Sequence, residues 1–334
     1  MDFSFTPDQE LLRDTARALL GNECPPSLLR AHMTDRTATD PLWNHLRDFA
    51  ALGTGDATDL CVFVEQTGYV SAPGPFFASV ALCAPLLDAI GHPALDAMAA
   101  GEATGTVAVA GRAGEWAPNA EPVKYFVPDA DLANVIVVVE PGPSVRVITA
   151  PAAAAPREIA TVDSTRRVFR VDLSAEPAGE SFPLSLDAWI AWRDRAHVAL
   201  AAEMVGTARR LFDMALAYAK ERKQFDTPIG SFQAIQHKLA DLALALERAT
   251  AAVQYASMTV DAADADRTRA CHVAKAAAGD AARRCLKDGI QIHGGIGYTW
   301  EHDLHLFIRR ATASEYLLGP TSWHHDRLAD LLFA

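Results

Sequence analysis

The stretch RKQFDTPIGSFQAIQHKLAD, residues 222–241, decides the reading of this chain, together with QIHGGIGYTWE, residues 291–301. The first sets a cation (Arg222), two amides (Gln224, Gln233) and two aromatics (Phe225, Phe232) at a helix–turn–helix junction broken by Pro228-Ile229-Gly230. A guanidinium there can fork onto a pyrophosphate, and the amides can hydrogen-bond phosphate or ribose. The second ends a long helical pattern in Gln291-Ile292-His293-Gly294-Gly295. Paired glycines let backbone approach a ligand closely, and the pattern predicts amides left bare for an anion.

The same region carries a helical bundle. Residues 186–220 are Ala-rich and free of proline. Phe232, Ile235, Leu239, Leu242, Leu246, Ala249 and Val253 step by 3 and 4, a narrow seam suited to packing along another long helix. Residues 266–292 predict a third long helix, and 302–313 and 321–332 two shorter ones. Upstream, residues 106–110, 123–127, 135–139, 145–149 and 167–171 are short β-branched runs separated by Pro, Gly, Asp and Asn, the pattern of a small β domain. Residues 152–155, between two prolines, read as a loop. The amino-terminal part is helical: Thr6-Pro7-Asp8-Gln9 supplies an N-cap, a proline at N1 and a glutamine at N3. Further helical patterns cover 41–52, 59–68 and 76–100. The expected fold is mainly α with a small central β domain: an α domain over 1–103, a β domain over 104–183 and an α-helical bundle over 184–334.

Composition bounds the function classes. The 334 residues are 50% hydrophobic and 22% charged, with a net charge of −12. That balance is ordinary for a globular protein and opposes nucleic-acid binding, which needs a basic surface. It leaves room for a local basic patch against CoA. The opening MDFSFTPDQE has neither a basic n-region nor an apolar h-region, and no apolar run reaches 18 residues, so neither a signal peptide nor a membrane span is expected. Of five cysteines, none forms a Cys-x-x-Cys pair, and Cys271 and Cys285 would stand about 21 Å apart along one helix. A cytoplasmic location follows as the expectation. His302 and His305 share a helix face, and His324 and His325 are neighbours, but no third ligand stands at a recognisable spacing, so no metal is expected.

The two quoted segments, with the opening Met1-Asp2-Phe3 and Thr6-Pro7-Asp8-Gln9-Glu10-Leu11-Leu12, resemble those of the acyl-CoA dehydrogenases. These flavin enzymes desaturate an acyl-CoA thioester between its α and β carbons. The α, β, α-bundle order is also theirs. The resemblance implies FAD as cofactor, an acyl-CoA substrate and an electron-transfer flavoprotein or similar acceptor. It implies that Arg222, Gln224, Phe225, Phe232, Gln233, Gln291, His293, Gly294 and Gly295 contact the FAD of a neighbouring subunit. One departure is Asp226, where the family usually has glycine. The family's catalytic glutamate is missing: its usual place holds Leu318, and its alternative place, on the first long bundle helix, holds Ala196. The β domain also lacks the Trp-Ile-Thr or Trp-Ile-Ser run that lines the flavin ring. This pattern is similar to the smaller, non-catalytic subunit of actinobacterial heteromeric (α2β2) members, whose larger partner carries the glutamate and several of which act on steroid side-chain thioesters. Two other readings stay open: a self-sufficient homomer with its base moved to Glu203 or Glu315, and a scaffold that has lost FAD.

Overall fold

The structure, a computed structural model, describes residues 3–142, 144–149, 155–175 and 179–333. The first helix is α1 (Pro7–Glu23), and Thr6 and Gln9 form the reciprocal capping box that their spacing predicts. After it come α2 (Pro26–His32), α3 (Asp40–Leu46) and α4 (Ala57–Val70). The helix expected over 41–52 is divided, its second half being a 3-10 segment (Arg47–Gly53). The helix expected over 76–100 is also divided, into a π-helical turn (Phe77–Cys83), α5 (Ala84–Ala89) and α6 (Ala94–Ala99). Pro85 lacks an N–H for the preceding turn, and Gly91, at φ +62, and Pro93 end α5 and start α6.

Two sheets follow. The first takes β1 (Gly105–Ala108), β3 (Val135–Glu140), β4 (Ser144–Ile148) and β7 (Glu180–Pro183) in the order β1-β3-β4-β7. The β1–β3 pair is parallel and the others antiparallel. The second takes β2 (Val123–Pro128), β5 (Arg157–Ile159) and β6 (Val168–Asp172) in the order β2-β6-β5. Register shifts between Lys124 and Val127, a bulge that carries Phe126 at φ +55. The run Val135-Ile136-Val137-Val138-Val139 is apolar throughout because both its faces are covered. Val135, Val137 and Val139 join the core shared with the helices, whereas Ile136 and Val138 join a second core with Val127, Phe169 and Val171 of the other sheet. β5 and β7 escaped the sequence reading, being short, polar and at sheet edges. The loop expected over 152–155 lies, save Ala155, outside the described residues.

The bundle comprises α7 (Leu186–Glu221), α8 (Gln233–Asp261), α9 (Arg267–His293), α10 (Leu304–Tyr316) and α11 (Thr321–Phe333), with a hairpin of β8 (Lys223–Gln224) and β9 (Thr227–Pro228) between α7 and α8. The seam buries Leu239, Leu242, Leu246, Ala249 and Val253; Phe232 stands outside it, ahead of the helix and 40% exposed. Helix α7 also packs on α4 at unusually close range. A Cβ on Gly68 would lie 2.0 Å from the Glu203 carbonyl oxygen, and one on Gly206 would lie 1.9 Å from that of Glu65. Thr207 Oγ1 donates to the Gly68 carbonyl oxygen across the same contact, at 3.0 Å. Gly206→Ala should therefore push two rigid backbones apart and lower the unfolding free energy by about 3 kcal/mol, read from the urea midpoint.

Candidate functional site

Folding brings the two quoted segments to one end of the bundle. A small core of Ala215, Ala219, Leu239 and Ile292, flanked by Tyr218, Ile229 and Ile235, joins the end of α7, the start of α8 and the end of α9. The His293 ring stacks on Tyr218 with centroids 4.6 Å apart. Arg222 is the C-cap of α7; its amide donates to the Tyr218 carbonyl oxygen at 2.8 Å, and its own carbonyl oxygen accepts from the Ile229 amide at 2.8 Å. Its backbone is thus fixed while its exposed guanidinium has no protein partner among the described residues. Gln224, Phe225, Gln233 and Gln291 are exposed as well. Open space lies in front of Gly294 and Gly295, where a Cβ would meet nothing within 4 Å.

Two details differ from the sequence reading. The Gly294 amide is not bare: it donates to the Ile290 carbonyl oxygen, and the chain runs on as a 3-10 turn (Gly294–Tyr298). His293 is buried, with Nδ1–H donating to the Gly289 carbonyl oxygen at 2.7 Å and burial holding its pKa below the usual histidine value. Its side chain braces the loop from beneath. The available groups at this end are therefore a free cation, three exposed amides and two exposed aromatics. That donor set fits an anionic dinucleotide tail.

The β8–β9 turn is strained. Phe225 (φ +52) and Asp226 (φ +63) both occupy the left-handed region, the demand of a two-residue turn that favours glycine. Phe225 is 90% exposed and meets Phe232 edge-on, with centroids 6.3 Å apart.

A second region lies between the β sheets and α10, a cavity of about 460 Å³. Trp116, Phe126, Val162, Val168, Tyr316 and Leu317 form much of its wall, and Arg166 is its one charged lining residue. The bulge in β2 is what turns Phe126 here. Among the described residues no Asp, Glu or His lines it.

Beneath Arg166 lies a buried ion cluster. Glu203 on α7 pairs with Arg166 and, at 3.4 Å, with Arg310 on α10. Arg310 Nε donates to Asp163 at 2.7 Å, its Nη2 to Thr165 Oγ1 at 2.8 Å and its Nη1 to the Ala72 carbonyl oxygen at 3.3 Å. Burial raises the pKa of Asp163, but Arg310 and the Thr165 hydrogen bonds outweigh it, and the carboxyl titrates below its ordinary range. Glu203 keeps one enclosed oxygen, Oε2, without a partner.

The two places for a family base are closed. Ala196 is 0% exposed and Leu318 1%. Leu318 sits at φ +57, and its loop is clamped from below: Lys275 Nζ donates to the carbonyl oxygens of Glu315 (3.3 Å) and Gly319 (3.1 Å). Burial pushes the Lys275 ammonium down to about 8, with Glu315 partly holding it up. Glu315 accepts from the Thr321 amide at 3.0 Å, capping α11, and from Arg283 at 3.3 Å. Sequence reading missed Asp163, Arg166 and Arg310 altogether; the adjacent pairs Arg166-Arg167 and Arg309-Arg310 carry no spacing that marks a buried partner.

Residues 194–333 match the family described as Acyl-CoA dehydrogenase, C-terminal domain. The chain is 33% identical over 329 residues to acyl-CoA dehydrogenase IpdE2 of Mycobacterium tuberculosis, covering 94% of both chains. Its backbone superposes on a chain of the Tcur3481–Tcur3483 steroid ACAD G363A variant with a TM-score of 0.86, at 24% identity and 97% coverage of each chain. A chain of the ChsE4–ChsE5 complex from Mycobacterium tuberculosis gives 0.86 at 22% identity and 99% coverage of each. The chain belongs to the acyl-CoA dehydrogenase family of oxidoreductases. Among the described residues no helix is long and apolar enough to cross a membrane.

The turn strain has a direct test. Asp226→Gly places the unhindered residue at φ +63 and should raise stability by about 0.5–1 kcal/mol in a urea titration.

Proposed function

We propose that this chain is the FAD-gripping, base-free subunit of a heteromeric acyl-CoA dehydrogenase, acting with a larger related chain that carries the catalytic glutamate. The observation that carries the reading is the state of the carboxylates. The cavity wall has none, the two family positions are Leu318 and Ala196, and the two nearest alternatives are committed elsewhere. Glu203 serves two arginines, and Glu315 caps a helix. Abstraction of an α proton needs a carboxylate within about 3 Å of the carbon or one water away, so that step falls to the partner.

FAD, when bound, supplies the hydride acceptor for α,β-desaturation. This chain's part is positional. The Arg222 guanidinium would hold the pyrophosphate, Gln224, Gln233 and Gln291 would hydrogen-bond the tail, and Phe225 and Phe232 would offer it apolar contact. Gly294 and Gly295 leave room for close approach. The likeness to IpdE2 supports an acyl-CoA as substrate, and the fold shared with a chain of a steroid ACAD supports a bulky, steroid-type acyl group. An electron-transfer flavoprotein or similar acceptor, and a cytoplasmic location, complete the reading.

Two measurements test it. Co-expressed with the larger chain, this protein should elute as a yellow α2β2 tetramer with about one FAD per unlike pair, and Arg222→Ala should weaken flavin retention by about 10–100-fold, the loss of a contact worth roughly 1.5–3 kcal/mol. Full flavin occupancy in this chain alone would reject the heteromer. In the reconstituted complex, Glu203→Gln should lower thermal stability through the ion cluster yet leave kcat within a few-fold of wild type. A drop of about 10²-fold or more, with flavin still bound, would place the base on this chain.

A further inference from the structure

Three histidines outside the flavin reading meet inside the bundle. His197 lies on α7, His272 on α9 and His324 on α11, each 2% exposed or less. One ligand atom from each lies within 4.8 Å of the other two. The Nδ1 atoms of His272 and His324 face each other at 2.8 Å. His197 stands edge-on to His324, with ring centroids 4.8 Å apart, and its enclosed Nδ1 has no hydrogen-bond partner. Sequence spacing offered His324 no third ligand; tertiary packing supplies two.

The hydrogen bonds fix the tautomers. A carbonyl only accepts, so His324 Nε2, 3.2 Å from the Leu318 carbonyl oxygen, carries a proton. Neutral His324 then turns a bare Nδ1 lone pair toward the cluster, and the 2.8 Å contact is His272 Nδ1–H donating to it. An imidazole whose outer N–H holds a backbone carbonyl while its inner nitrogen faces a shared centre has the arrangement of a metal ligand. The unpartnered His197 Nδ1 is a buried polar atom that still needs a partner.

We infer that His197, His272 and His324 form a three-imidazole site for a divalent transition-metal ion, with Zn²⁺ the best chemical match. The ion takes the place of the proton between His272 and His324, and His272 then carries its proton on Nε2. The group contains no thiolate or carboxylate. That excludes Mg²⁺ and Ca²⁺, which take oxygen ligands, and suits the ions that imidazole prefers. Zn–N bonds of about 2.0–2.1 Å place tetrahedral donors roughly 3.3 Å apart, so the outlying ring must close by roughly 1.5 Å. The cations facing the site are Lys275, Arg193 and Arg327. Their repulsion sets the affinity below that of a site with a carboxylate ligand. Bound metal would staple α11 to α7 and α9 and fix the carbonyl of Leu318.

The full chain, with whatever subunit co-purifies, is stripped with a chelator, incubated with excess Zn²⁺ and desalted. About one Zn²⁺ per chain is expected, with a higher Tm than the stripped protein. His197→Phe keeps a ring in the same space and should lose that zinc, whereas His302→Gln should keep it. Retention below about one tenth of an equivalent by folded wild type overturns the site, as does undiminished zinc in folded His197→Phe. Should His197→Phe fail to fold, X-ray absorption on the zinc-loaded wild type decides: three imidazole ligands support the site, and fewer overturn it.

Discussion

The Arg310 guanidinium is the point through which the parts of this molecule are joined. It is wholly buried, and its partners come from everywhere: Ala72 after α4, Asp163 and Thr165 from the segment between β5 and β6, and Glu203 on α7. With Arg166 the cluster holds two cations and two carboxylates, so its own members balance in charge. Such a cluster gives little net stability over an apolar core of the same shape, but removing one member strands its partner at a cost of about 3–5 kcal/mol. Its effect is therefore geometric. Sheets and bundle are held at one relative position, and Arg166 is presented to the cavity wall.

That position depends in turn on the close crossing of α4 and α7. Gly68 and Gly206 let two helix backbones touch, which sets the depth of Glu203. From the same stretch of α7, Ala196 and His197 face the core. A single helix thus carries Ala196, a carboxylate of the ion cluster and one of the three histidines, while its far end presents Arg222 to solvent.

Much of the architecture was legible because it is written in local periodicity. The seam from Leu239 to Val253, the capping box at Thr6 and the apolar run of β3 each follow from one element meeting one face. The two segments at 222–241 and 291–301 were legible as motifs, and folding does place them together. What was not legible depends on groups far apart in sequence. Arg310 and Asp163 carry no local sign of burial, since nothing local says that Glu203 will neutralise the same pocket. His197, His272 and His324 share no spacing, only a meeting point of three helices. β5 and β7 pair along sheet edges, where polar side chains hide the strand signal. Gly294 looked like a bare amide because two glycines suggest openness, yet a helix C-cap uses that N–H first.

The exposed end of the bundle combines backbone strain with exposed groups. Phe225 combines a left-handed backbone, unfavourable by about 1–2 kcal/mol for a residue with a side chain, with a ring 90% in water. Within the monomer neither feature is compensated, and the guanidinium of Arg222 beside it is also unpaired among the described residues. Strain of this kind is held by the surrounding fold and is characteristic of places that meet a ligand. At the cavity the opposite holds: Leu318 also has a left-handed backbone, but Lys275 and His324 clamp its loop from inside the bundle. The Leu318 loop is thus locked onto the core, while the β8–β9 turn is left open to solvent.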